Sequence, residues 1–269
     1  MRRGFLKFLV GLALLLPLNG MAAAKDSSPV LARIADSGTL RVGMSAGQPP
    51  FNVRSRQGKI IGLDVDLAGL LAKAIRVELE IVEMPFSELL PALENGKVDL
   101  VMSGMTATLQ RNMRVAFVGP YHITGKSILA RSETIAALQS QDMDQSNLKI
   151  AALEGSTSED FVKQVAPKAT LLVTKDYNAA IDLLLSNKAD AFVADASIIM
   201  LSILRWPDAG LVAAQNPLTI EPIGIAVPAG DPLLLNLVEN YLAAIKAAGA
   251  LEKLNEKWFK SGAWLMQLP

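Results

Sequence analysis

Short apolar runs and helically spaced apolar stripes take turns along most of the chain, which is the pattern of an α/β protein. Leu40-Arg41-Val42-Gly43-Met44 reads as a strand, Lys59 to Gly62 as a short second one and Leu79-Glu80-Ile81-Val82 as a third. Between the last two, Asp64 is expected to cap a helix whose apolar positions Leu67, Leu70, Leu71 and Ala74 keep helical spacing. A helix over Phe86 to Asn95 stopped by Gly96, a strand over Asp99 to Met102 and a short helix capped by Thr108 complete a first set. A second set follows. Strands are expected at Lys149–Leu153, Leu171–Val173 and Ala191–Val193, and helices open at Gly155-Ser156, after the cap Asp176 and after Asp195.

The end of the chain departs from this alternation. A strand over Ile223 to Val227 precedes Asp231-Pro232, an N-cap followed by a proline at the first helical position. Leu234, Val238, Tyr241 and Ile245 stripe one face of the helix that follows, Gly249 ends it, and a last helix covers Leu251 to Phe259. These helices need a sheet to cover, and the first set is the natural one. That arrangement predicts two lobes, 28–124 plus 220–269 and 125–219. The chain would cross between them near Ile123–Ser127 and near Asn216–Glu221, a hinge with a cleft beside it.

Residues 1–24 stand apart from the fold. Arg2, Arg3 and Lys7 form a basic start, Phe8 to Leu18 is apolar, and Ala22-Ala23-Ala24 offers a cleavage site, so the segment reads as a secretory signal peptide of an exported, periplasmic protein. Across the 269 residues, 26 Lys+Arg balance 26 Asp+Glu, and losing the leader leaves a small negative charge. A nucleic-acid binder would show a basic excess instead. With no Cys and one His, His122, the chain offers no disulfide, no thiol nucleophile and no N/S metal centre of the usual kind. No cofactor is expected.

The motifs resemble those of the amino-acid-type extracytoplasmic solute-binding proteins of ABC importers, the periplasmic binding proteins of type II architecture. The matching stretches are Leu40-Arg41-Val42-Gly43, Pro49-Pro50-Phe51, Gly62-Leu63-Asp64-Val65-Asp66-Leu67 and Gly96-Lys97-Val98-Asp99-Leu100. Ser103-Gly104-Met105-Thr106-Ala107-Thr108 with Arg111, Pro120-Tyr121, Gly155-Ser156-Thr157 and Lys188-Ala189-Asp190-Ala191 with Asp195 continue the series. Gly224-Ile225-Ala226-Val227 and Lys257-Trp258-Phe259 end it, in the family's order over residues 38 to about 261.

The resemblance implies a monomer that captures an amino acid by closing its cleft and hands it to a membrane permease. It gives Arg111 the ligand's carboxylate, which a planar guanidinium can grip with two parallel bonds. Ser156 and Thr157, at a helix start rich in free N–H groups, would hold the same carboxylate from the second lobe; Ser156-x-x-Glu159 is also an ordinary capping box. Asp195 would accept the ammonium, although its position equally suits an N-cap. Gly104 and Thr106 would complete that contact, with Ser103 beside them. Phe51 would pack on the ligand's aliphatic part or in the core. Gln48 stands where an aromatic is common, and Ser45 where relatives binding cationic side chains often have an acid, so a polar uncharged or acidic side chain is expected. Asp64 and Asp66 read as helix-start charges. Two other functions fit the scaffold. One is a dehydratase of prephenate- or arogenate-like acids with Asp195 or Glu154 as proton donor. The other is a sensor that presents its bound state to a separate receptor.

Overall fold

The computed structural model describes residues 28–135, 143–214 and 216–268, so the expected signal peptide lies outside the described residues. Two five-stranded sheets organise the chain, with a small three-stranded ribbon beside the first. The first sheet is built from β1 (Thr39–Met44), β5 (Glu78–Glu83), β6 (Leu100–Val101), β7 (Ala116–Thr124) and β13 (Glu221–Val227), in the order β5-β1-β6-β13-β7. The ribbon joins β2 (Gly47–Gln48), β3 (Asn52–Arg54) and β4 (Ile60–Ile61). The second sheet has β8 (Lys126–Arg131), β9 (Lys149–Leu153), β10 (Thr170–Thr174), β11 (Ala191–Asp195) and β12 (Leu211–Ala213), in the order β10-β9-β11-β8-β12. In each sheet the first three strands of that order run parallel and the last two antiparallel to their neighbours.

Local chemistry explains where the helices start. Thr108 accepts from the Arg111 amide at 3.1 Å, Ser156 from Glu159 at 3.2 Å, Asp176 from Ala179 at 2.8 Å and Asp231 from Leu234 at 3.0 Å. Asp64 departs from the expectation. Gly62 sits at the cap of the helix Leu63–Ala74, and the Asp64 side chain turns inward to a fully buried site. Asp195 holds the N-cap position of the helix Ala196–Arg205 but makes no capping bond, because its carboxylate is used elsewhere.

The C-terminal helices Pro232–Ala247 and Ala250–Asn255 cover the first sheet. Leu234, Val238, Leu251, Trp258 and Trp264 share one core with Leu40, Val42, Leu63 and Leu67. Asp66 clasps this end, accepting from Lys257 Nζ at 2.6 Å and Trp258 Nε1 at 2.7 Å. Asp99, buried in the same half, takes both Arg33 and Arg41. A second apolar cluster runs from Phe86, Leu89 and Met105 into Leu153, Tyr177 and Phe192, so the two halves share packed surface.

The chain passes between the sheets at Gly125, from β7 to β8, and again between β12 and β13. The two passages lie against each other. Lys126 N–H donates to Thr219 Oγ1 at 3.0 Å and the Leu218 amide to the Lys126 carbonyl at 2.7 Å. A Cβ on Gly125 would stand 2.2 Å from the Thr219 carbonyl oxygen and 2.8 Å from Pro217 Cβ. Only glycine permits that approach. Gly125→Ala must therefore push the passages apart, and a loss of about 1–3 kcal/mol is expected. Urea denaturation checks it: an unchanged midpoint would mean the passages slide freely.

Candidate functional site

Bonds between the halves involve two of the expected site residues, Arg111 with Gly155 and Thr157 with Glu221. From the first, Arg111 sits in the helix Leu109–Asn112 just after Thr108. Its guanidinium donates to the Thr106 carbonyl at 2.8 Å and, across the cleft, to the Gly155 carbonyl at 3.0 Å. It lies 5.8 Å from the centre of the Phe86 ring. Burial lowers its pKa while the charges of Asp160, Glu221 and Asp195 oppose that, so it stays a cation. Among the described residues no carboxylate lies within ion-pair distance of it. Thr106 is held in place by a bridge to Ile223 of β13.

Gly104 makes the turn beneath Arg111's segment with φ +55°, and a Cβ there would meet Gln48 Oε1 at 2.7 Å and the Phe51 ring at 3.0 Å. Its amide donates to Asp64 at 2.8 Å. Asp64 also accepts from Tyr121 Oη at 2.6 Å and Asn52 Nδ2 at 2.8 Å. Ser103 belongs to the same network, bonded to Asn52, to the Ser45 amide at 3.0 Å and to the Ser45 hydroxyl at 3.1 Å. Phe51 is fully enclosed, edge-on to His122 and Phe259, which stack on each other at 3.9 Å. The ring that faces Arg111 is Phe86, which sequence reasoning treated only as a helix start. Gln48 is 2% exposed, and its Nε2 has no hydrogen-bond partner.

From the second half come Ser156 and Thr157, at the start of the helix Thr157–Val165. Ser156 Oγ is spent within its own turn, donating to the Leu153 carbonyl at 2.6 Å. Thr157 Oγ1 donates to Glu221 at 3.1 Å, and Thr219 Oγ1 donates to the same carboxylate at 2.8 Å. Asp195 accepts from Lys126 Nζ at 2.6 Å, and Glu221 lies 3.6 Å from that ammonium. All three ionic side chains are buried. Sequence reasoning missed Lys126, Glu221 and the role of Asp64. The available signal for Lys126 was a lysine opening an apolar strand directly after the crossing glycine.

The family model of the bacterial extracellular solute-binding proteins, family 3, matches residues 40–261. The chain belongs to that family. Arginine-binding protein 1 of an Escherichia coli ABC transporter is 29% identical over 227 residues, covering 82% of this chain and 90% of the relative. Cyclohexadienyl dehydratase of Pseudomonas aeruginosa is 27% identical over 246 residues, 91% of either chain. The crystal structure of the ancestral amino acid-binding protein AncCDT-1, a precursor of cyclohexadienyl dehydratase, matches with a TM-score of 0.77 at 36% identity, covering 86% of this chain and 99% of that one. Relatives and structural neighbours are thus amino-acid-binding, two-lobed α/β proteins of ABC transporters, with an enzyme among them.

Asp64 gives this family member a titration to follow. Burial pushes its carboxyl up from 3.8 to about 6, against the bonds from Tyr121, Asn52 and Gly104. The folded chain then holds a proton that the unfolded chain has lost between those values. This contribution to stability is full below 3.8 and is lost as pH rises through about 6, to a limit of about 3 kcal/mol. Asp64→Asn should abolish that part of the pH dependence in denaturation series from pH 4 to 7; superimposable slopes for the two proteins would count against a raised carboxyl.

Proposed function

We propose that this chain is the exported, monomeric capture protein of an ABC importer, closing its cleft on a small solute of amino-acid size and delivering it to the membrane permease. Movement is taken to be that of units 28–124 plus 220–269 against 125–219, about the paired passages at Gly125 and Thr219. The observation that carries the reading is Arg111. A half-buried guanidinium at the lobe boundary, bonded only to neutral carbonyls of both lobes, is suited to a carboxylate that replaces them. Bonds made from both lobes at once favour the closed state, which is what couples binding to closure.

The side-chain end of the solute is assigned to Gln48. Its unpaired amide shares a small pocket with Ser45, Pro85 and Phe86 and, from the second half, Lys175 and Asp176, and supports a solute with an oxygen acceptor there, hence a polar uncharged or acidic side chain. For a cationic one the ribbon, residues 47–61, carries no acidic residue, and the Asp176 carboxylate at that pocket is engaged as a helix cap, accepting from the Ala179 amide at 2.8 Å. The dehydratase reading has less support. Of the two expected donors, Asp195 is engaged by Lys126 Nζ at 2.6 Å and Glu154 is exposed, so neither stands free inside the cleft.

Arg111→Ala should lower affinity for every solute by ~3–5 kcal/mol, or ~2–4 orders of magnitude, while barely changing the free protein's stability. Gln48→Ala should reorder affinities among solutes and leave the common grip intact. Calorimetry on both variants with several amino acids and organic acids is the check. Native affinity in Arg111→Ala, joined to a destabilised free protein, would make the arginine structural.

A further inference from the structure

The seat expected to receive a ligand ammonium already holds an ammonium. Lys126 Nζ lies 2.6 Å from Asp195 Oδ1 and 3.6 Å from Glu221. This lysine is not a loose tenant. Its side chain is 2% exposed, its backbone is bonded on both sides to the second passage, and it faces Asp195 in the register of β8 and β11. Withdrawing it would strip the buried Asp195 carboxylate of its ammonium and leave Glu221 with hydroxyl donors alone, which is far costlier than leaving them paired. Glu221 has its own support from the hydroxyls of Thr157 and Thr219 at the start of the helix Thr157–Val165.

An α-amino acid with its carboxylate on Arg111 would bring a second ammonium toward this pair. Both groups are donors only, and both are cations beside a buried pair. Neither can satisfy the other. An oxygen on the α-carbon reverses the situation, because it can accept one of the three N–H groups of Lys126, whose others face Asp195 and Glu221. We infer that the solute is a small 2-oxo or 2-hydroxy acid, with Arg111 holding its carboxylate and Lys126 donating to the α-oxygen in the place where relatives' amino acids would carry nitrogen. The inference rests on the proposed carboxylate grip of Arg111 and narrows it to a chemical class.

Calorimetry on skeleton-matched series provides the test: glutamate against 2-oxoglutarate and 2-hydroxyglutarate, aspartate against oxaloacetate and malate, and leucine against 4-methyl-2-oxopentanoate. In the native protein the oxo or hydroxy member should bind about tenfold tighter or more than its amino partner, as expected when a buried polar group is matched rather than opposed. Lys126→Met, which keeps the stem and removes the ammonium, should shift that ratio at least about tenfold toward the amino member by freeing Asp195. If the variant does not fold, the ratios in the native protein decide. Amino members binding as tightly as their partners, or no member of any series binding, overturns the inference. The grip itself is judged separately: amino acids that bind native protein and lose affinity in Arg111→Ala would leave the carboxylate reading standing while this one falls.

Discussion

The closeness of two strands of chain at one point governs the molecule. Gly125 lets the outgoing passage lie against the Thr219 carbonyl of the returning one, and backbone and hydroxyl bonds zip them together. Two passages bonded side by side resist translation of one lobe along the other and leave bending as the soft motion. The residues flanking this point, Lys126 after the first passage and Glu221 after the second, are therefore fixed relative to the pivot. In the proposed opening of the cleft their charges would move least. Arg111 and Gly155 lie on separate lobes, so their bond is the kind of contact that bending breaks.

Two cations then serve the cleft in opposite ways. Lys126 is enclosed and paired, so its desolvation is compensated inside the protein whatever the cleft holds. Arg111 has only carbonyl partners, which compensate a guanidinium less well than a carboxylate does. The difference between these two environments is a difference in what a solute can gain. On the proposed reading a carboxylate would gain strongly by reaching Arg111, and an added cation would gain little beside Lys126. Beneath them Asp64 ties the Gly104 turn to the ribbon through Asn52 and to β7 through Tyr121. A turn with positive φ and no room for a Cβ would otherwise be free to shift the Thr106–Arg111 segment.

Local rules made much of the fold legible. The caps Thr108, Ser156, Asp176 and Asp231 all bond three residues ahead, a range that a sequence pattern contains. The spacing of Leu234, Val238 and Tyr241 likewise announced a face needing a sheet. Asp64 and Asp195 look the same as those caps in sequence, and both sit at helix starts. What separates them is a partner 40 to 69 residues away: Gly104 and Tyr121 for one, Lys126 for the other. No local window holds that information. β7 and the helix Pro29–Ser37 were also unmarked, the first because Gly119-Pro120 interrupts its alternation.

The same distinction bears on how far a family resemblance reaches. Arg111 and Asp195 keep the family's residue types, and type alone suggests that both ends of an amino acid are served. Charge state and occupancy are set by neighbours, however, and a neighbour can neutralise a retained residue without replacing it. Asp195 is such a case. Its carboxylate remains at the end of β11, but the register that pairs β11 with β8 puts Lys126 directly opposite. On the proposed reading, one residue across the sheet bears on what the cleft accepts without any expected ligand-binding residue being replaced. Lys126 is paired within the protein, and the passages beside it are held by backbone and hydroxyl bonds that do not depend on the solute.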